Sequence, residues 1–272
     1  MTVDVQRKSL IEFSANSVRK VGDAPLLAVE ATKTVRAGEI GIESGLFYVP
    51  SVLDFDRDKG VLELERLKGL VTLLQLAIDK DARVLELMNR AGRALAVIHE
   101  QLVLPDKIKY PLPPEWMAPD LTPEPIGGGT DQNVFIHGDF ASVNVCLHEA
   151  SGRLVILDWS AAPIIGRTPT FGSRYFDILW FIGCVFRGAP GVRFLDWNAE
   201  GMIDVFLRGY AKRSSWDISK GFKNYLPKIC RLHRQKIWFL ARRKSPAKAA
   251  AYLCSQLFLY ARFCRFLRNY EL

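Results

Sequence analysis

Val134-Phe-Ile-His-Gly-Asp-Phe-Ala-Ser-Val-Asn-Val-Cys-Leu-His148, continued by Leu154-Val-Ile-Leu-Asp-Trp159, sets a few polar side chains between apolar runs. Its skeleton is strand, His137-Gly-Asp139, four residues, Asn144, strand, turn at Glu149-Ala-Ser-Gly152, strand, Asp158. Singly, these residues have ordinary readings: a His-Gly-Asp tripeptide often makes a turn, Asn144 could cap a loop, and Asp158 could end a strand. Together, at this spacing and with Asp177 following, they form a set of oxygen donors on consecutive loops. Asp139 is placed to orient a hydroxyl, and Asn144 and Asp158 supply the amide and carboxylate oxygens that magnesium favours. Phosphoryl transfer asks for little more, because its catalysis is mostly positioning and charge stabilisation.

The D-x-x-x-x-N spacing followed by a strand-end Asp resembles the catalytic and metal-binding loops of protein kinases. His137-Gly-Asp139 and Asp158-Trp159 resemble the aminoglycoside phosphotransferase and choline kinase branch, to which bacterial lipopolysaccharide-core sugar kinases are related. Arg174-Tyr-Phe-Asp177-Ile-Leu resembles the helix start whose Asp braces the catalytic loop, and Ala94-Leu-Ala-Val-Ile-His99 resembles the helix before that loop. The resemblance implies an α+β, protein-kinase-like two-lobed fold: a strand-rich nucleotide-binding lobe over residues 1–67 and a larger helical lobe over 68–272. It also implies ATP and Mg2+ as cofactors, with Asp139 catalytic, His137 bracing its loop, Asp177 supporting it, and Asn144 and Asp158 on the metal.

The same resemblance asks for a lysine ending a small-lobe strand and a glutamate on the next helix. Leu26-Leu-Ala-Val-Glu-Ala-Thr-Lys33 reads as a strand and Val35–Phe47 as a helix ended by Val49-Pro50, since a residue before proline leaves the helical region. Lys33 is therefore the expected phosphate lysine, with Glu39 as its partner and Glu43 second. No G-x-G-x-x-G precedes it, a departure from the family pattern. Phe13-Ser-Ala-Asn-Ser17 is the expected phosphate loop, with Ser14 and Ser17 in it. Glu63-Leu-Glu65-Arg-Leu-Lys-Gly69 resembles the hinge that meets adenine.

Around this centre, the periodicity is strand-like at Val61–Leu67, Asn133–Ile136 and Arg153–Leu157. It is helical over Arg83–Leu102 and mainly helical beyond Phe176. Leu104–Asn133, rich in proline and containing Gly127-Gly-Gly129, is a long connection. Of the 272 residues, 49% are hydrophobic and 24% charged, which excludes extended disorder. Met1–Lys8 lacks the apolar core of a secretory signal, and the longest apolar runs fall short of the roughly 20 residues of a membrane span. Five scattered cysteines without a CxxC pair read as reduced thiols, so the expected location is cytoplasmic.

Net charge is +8, and from Arg208 onward sixteen lysines and arginines face only Asp217 and Glu271, leaving the rest net acidic. A basic acceptor region disfavours a cationic acceptor and favours a neutral or anionic small molecule, sugar or glycolipid. Basic and aromatic residues interleave at Arg231–Lys244 and Phe258–Arg268, with Arg262, Arg265 and Arg268 on one helical arc. That arc would suit peripheral contact with the anionic inner face of a membrane, ahead of nucleic acid. A kinase for a sugar or lipid-linked glycan hydroxyl is the leading expectation. A pseudokinase binding an anionic partner through its basic end is the alternative.

Overall fold

The computed structural model describes residues 10–117, 133–160, 169–190, 194–214 and 218–271. The Gly127–Gly129 stretch lies outside them. The chain opens with an antiparallel sheet of β1 (Leu10–Phe13), β2 (Ser17–Val21), β3 (Val52–Asp56) and β4 (Val61–Glu65), ordered β1-β2-β4-β3. Between β2 and β3 runs one helix, α1 (Ala24–Ser44).

The strand expected at Leu26–Lys33 is thus the first part of α1, and the helix expected at Val35–Phe47 is its continuation. Local signals explain the outcome. Asp23 has extended backbone and its carboxylate accepts the Leu26 N–H at 3.1 Å, while Pro25 occupies the first turn. Gly45, at φ 66°, closes the helix by donating its N–H to the Gly41 carbonyl. Buried positions recur every three or four residues through Leu27, Ala31, Thr34, Ala37 and Gly41. Leu27 and Ala31 pack on Leu62, with Val52, Phe55 and Leu64 around them, which seats α1 on the sheet. Further along, Ala37 and Ile40 enter the main core.

Residues 66–69 carry the chain to a second sheet, ordered β5-β7-β8, made of β5 (Leu70–Thr72), β7 (Val145–His148) and β8 (Arg153–Ile156). α2 (Leu73–Ile78) and α3 (Val84–Gln101) follow β5, and α3 matches the periodicity expected for Arg83–Leu102. β6 (Asn133–Phe135) pairs with β9 (Phe171–Ser173) in a separate two-stranded ribbon. The remainder is helical: α4 (Tyr175–Arg187), α5 (Ala199–Ser214), α6 (Ser219–Ala241) and α7 (Pro246–Asn269). α3 and α5 approach closely enough that a Cβ on Gly92 would stand 2.0 Å from the Phe206 carbonyl oxygen. α4 is buried almost throughout, so the Asp177 in its first turn lies deep under the segment between β6 and β7.

The three arginines of the expected basic arc lie on the last helix, α7, but not all of them are free. Arg262 forms an ion pair with Glu200 and donates to the carbonyls of Phe194 and Trp197, while Arg265 and Arg268 are exposed. The aromatic Phe263 and the aliphatic Leu259 and Leu267 on the same helix are core residues. No helix among the described residues is long and apolar enough to cross a membrane.

Candidate active site

The segment between β6 and β7 is held from below by a single carboxylate. Asp177 is fully buried and its Oδ2 accepts the His137 N–H at 2.7 Å and His99 Nε2 at 3.1 Å, while Oδ1 accepts the Gly138 N–H at 2.9 Å. Burial alone would raise its pKa, but the His99 hydrogen bond and neighbouring donors outweigh it, and the pKa lies below the ordinary value. Burial holds His99 neutral, so its Nδ1 accepts from the Tyr210 hydroxyl at 2.9 Å. Gly138 sits at φ 90°, where a side chain would be strained, and this lets two successive N–H groups turn toward Asp177.

His137 is buried against Phe140 and Trp159. Burial lowers its pKa to about 4, so the ring is neutral. Nδ1 accepts the Asp139 N–H at 3.2 Å and Nε2 donates to the Leu157 carbonyl at 3.2 Å, which ties the His-Gly-Asp turn to the end of β8. The geometry suits a brace between two loops.

Asp139 is half-buried. Its Oδ2 accepts Asn144 Nδ2 at 3.2 Å and its Oδ1 accepts Trp180 Nε1 at 2.7 Å. Burial raises its pKa to about 6, partly opposed by the Trp180 hydrogen bond. Because Asn144 spends its amide nitrogen on Asp139, its Oδ1 makes no hydrogen bond among the described residues. The Leu157 N–H donates to the Asn144 carbonyl at 2.8 Å and brings the loop beside Asp158. Asp158 adopts φ 55°, uncommon for a residue with a side chain and tolerated best by Asp and Asn. Its Oδ1 accepts from Lys20 Nζ at 2.9 Å and from the Ser160 hydroxyl at 2.8 Å. Although burial works to raise the Asp158 pKa, the Lys20 charge brings it below the ordinary value. The donor set, a carboxylate and an unused amide oxygen, fits a hard divalent cation. No group of three or more His, Cys, Asp or Glu that could hold a metal gathers among the described residues, at this site or elsewhere.

The lysine at this centre is Lys20, on β2. Its Nζ also reaches Glu30 Oε1 at 2.5 Å, so a lysine on a strand and a glutamate on the next helix form an ion pair here. The sequence expectation named Lys33 and Glu39 instead, because it took residues 26–33 as a strand. Lys33 lies in α1, fully buried, and its Nζ donates to the His137 carbonyl at 2.6 Å. Burial lowers its pKa to about 8. Glu39 is exposed and pairs with Arg36 at 2.7 Å. Nine residues separate it from Glu30, which at 100° per residue puts it on the opposite face of α1.

The Phe13–Ser17 stretch is the hairpin between β1 and β2. Ser14 and Ser17 face one another, with hydroxyls 2.7 Å apart, the Ser14 N–H on the Ser17 carbonyl and the Ser17 N–H on the Ser14 hydroxyl. These serines close the turn; the N–H groups of Ala15 and Asn16 make no hydrogen bond among the described residues. Glu63 lies on β4 opposite Arg19, and Glu65 accepts from the Tyr48 hydroxyl at 2.6 Å and the Ser51 N–H at 3.1 Å. Both glutamates belong to the sheet rather than to the 66–69 connection.

No protein-family model matches the chain, and no curated protein matches it in sequence. Solved structures do resemble it. A choline/ethanolamine kinase family protein from Mesorhizobium loti superposes with a TM-score of 0.52 at 14% identity, over 96% of this chain and 89% of that one. A glucosamine kinase superposes at 0.57 with 11% identity, over 92% and 76%. An amicoumacin kinase, solved with AMP-PNP, Ca2+ and Ami, superposes at 0.53 with 13% identity, over 96% and 88%. At such identities the likeness is one of fold, and the chain has the protein-kinase-like fold of these small-molecule kinases.

Proposed function

We propose that this protein is an ATP-dependent phosphotransferase acting on a hydroxyl of a small molecule, with Asp139, Asn144 and Asp158 as its centre. The observation that carries the reading is the Lys20 ammonium, bonded at once to Glu30 and Asp158, beside an Asp139 linked to Asn144. The kinase fold supports it, as do nucleotides bound in neighbours: ADP in a glucosamine kinase and AMP-PNP in the amicoumacin kinase.

In this assignment Asp139 accepts the hydrogen bond of the acceptor hydroxyl and aligns its oxygen on the γ-phosphorus. The new oxygen–phosphorus bond forms as the bond to the bridging oxygen of ADP breaks, and the hydroxyl proton passes to Asp139. Asn144 and Asp158 would hold a divalent cation such as magnesium, which would supply positive charge against the phosphates. Lys20 contacts the phosphates while Glu30 holds it in place. The N–H groups of Ala15 and Asn16 are the phosphate donors of the hairpin, and the backbone of residues 66–69 meets adenine. His137 and Asp177 position the loop. Sugars, polyols and lipid-linked glycans, including those of the lipopolysaccharide core, are the acceptors we would screen.

The test is transfer of the labelled γ-phosphoryl of ATP to a panel of hydroxyl compounds by the intact chain, with Asp139→Ala as the control. Transfer that vanishes in a folded Asp139→Ala protein is the expected result. Equal turnover by the variant would end the assignment.

A further inference from the structure

Two cations stand on the far side of the Asp139 carboxylate, and neither is within ion-pair distance of an acid among the described residues. Asp139 divides its oxygens: Oδ2 faces Asn144, and Oδ1 faces the indole N–H of Trp180. Trp180 is buried, and its ring is approached by Lys236 Nζ at 4.6 Å and by the Arg187 guanidinium at 5.8 Å. Lys236 comes from the C-terminal third of α6 and Arg187 from the last turn of α4. Neither forms an ion pair with a carboxylate among the described residues. Arg187 Nε is buried without a hydrogen-bond partner, and one of its terminal nitrogens meets only the Cys184 thiol at 3.3 Å. His233, stacked on the same indole, is kept neutral by burial and offers no compensating charge.

This arrangement costs the folded protein free energy. Burial and the nearby Arg187 charge disfavour protonated Lys236 and outweigh the opposing pull of Cys184 and Asp139, so its pKa lies below the ordinary value. An indole face attracts an ammonium group but accepts none of its three hydrogen bonds conventionally. The one carboxylate that acts on Lys236, Asp139, has both oxygens taken by Asn144 and Trp180, and partly buried like charges in such a place are retained most readily where an anion completes them. Nucleotide phosphates are already served from the other direction, by Lys20 next to Asp158.

We propose that Lys236 and Arg187 bind an anionic substituent, a phosphate or carboxylate, on the molecule whose hydroxyl Asp139 receives. The acceptor is then an anionic sugar or polyol derivative. This rests on the phosphotransferase reading and narrows its substrate class. Trp180 links the two functions, since its ring lies under the cations and its N–H fixes the orientation of Asp139.

The test uses the intact chain with paired probes, glucose against glucose 6-phosphate and glycerol against glycerate. Two readouts are needed: calorimetric binding without nucleotide, and kcat/KM for transfer from labelled ATP. The charged member of at least one pair should bind about tenfold or more tightly than its neutral partner, with strong salt dependence. Lys236→Met should erase that preference in both readouts, and Lys236→Arg should restore most of it. Arg187→Met should act in the same direction. KM for ATP should not rise in parallel with the loss for the anionic probe. Equal handling of both members by the wild type, or a Lys236→Met effect confined to ATP, would overturn the proposal and leave the phosphotransferase reading standing. Preferential, Lys236-dependent binding of the charged probes without any phosphoryl transfer would do the reverse, sinking the enzyme assignment while keeping the anion site.

Discussion

Lys20 Nζ on β2 lies 2.5 Å from Glu30 on α1 and 2.9 Å from Asp158 after β8, so one ammonium group joins sheet, helix and the loop after β8. The Lys20 and Glu30 side chains are only 12% and 5% exposed. Removing either partner strands the other in a dry site, whereas replacing both need not. Lys20→Met and Glu30→Met should each lose about 3 kcal/mol of stability, and the double variant should regain most of it. ATP affinity obeys another rule: it should fall about tenfold or more in Lys20→Met and stay low in the double variant. Denaturant unfolding and nucleotide titration separate the two effects. A double variant that binds ATP like the wild type would remove Lys20 from the phosphate site.

Asp177 gathers three donors on two oxygens, and an amide in its place can accept on only one side. Asp177→Asn should therefore destabilise the fold by about 2–4 kcal/mol, because an N–H would face an N–H in a buried site. The acid limb should change too. The folded pKa lies below the ordinary 3.8, so the unfolded chain takes up the proton first as pH falls. The contribution of Asp177 is complete above that value and is lost as pH drops through the folded pKa. Asp177→Asn should lack this part of the acid dependence. Urea midpoints at neutral pH and at pH below 3.8 measure both effects, and an unchanged neutral midpoint would rule out the bracing role.

The difference between what the sequence discloses and what it conceals has a physical origin. Asp139, Asn144 and Asp158 are legible because they sit within twenty residues of one another, on loops whose flanking strands pair locally. Their geometry is largely a matter of spacing. The lysine–glutamate pair joins a strand to a helix that docks on it, and Leu26–Lys33 is apolar enough to pass for a strand. The decisive cue was the Asp23-Ala-Pro25 start, an N-cap followed by proline in the first turn. Read as a helix from Ala24, α1 turns Glu30 toward the sheet and Glu39 away from it. Lys20 then stands out on the short strand that precedes the helix. Trp180, Arg187 and Lys236 are harder still: they lie on α4 and α6, and only the packing of those helices brings Lys236 to the indole beside Asp139. The arginine arc shows a further limit, since helical periodicity places Arg262, Arg265 and Arg268 on one face without saying that Glu200 covers the first of them.

Lys33 offers a test at alkaline pH. It is fully buried with its Nζ on the His137 carbonyl, and burial lowers its pKa from 10.5 to about 8. Between those values the unfolded chain holds a proton that the folded chain has released, so stability rises with pH across that window. The gain from pH 7 to pH 9.5 should be about 2 kcal/mol relative to a Lys33→Met protein, in which this source of pH dependence is missing. Lys33→Met should also lower turnover, since the bond it removes holds the turn that carries Asp139. Matched unfolding curves for the two proteins at both pH values provide the measurement. Parallel pH dependence would mean that Lys33 stays protonated in the fold throughout.

Arg262 decides between two roles for the last helix. Its Nε lies 2.8 Å from Glu200 and its other nitrogens reach the carbonyls of Phe194 and Trp197, so it clamps α7 onto the start of α5. Charge-assisted bonds of this kind contribute about 1–3 kcal/mol when their partners are half-buried. Arg262→Met should lower stability by that order and leave sedimentation with anionic vesicles unchanged. The exposed Arg265 and Arg268 should behave oppositely, because neither forms an ion pair among the described residues: their substitution by Gln should leave stability within about 0.5 kcal/mol. If vesicle binding instead collapses in Arg262→Met while its unfolding midpoint stays put, the clamp is wrong and the arginine faces a membrane after all.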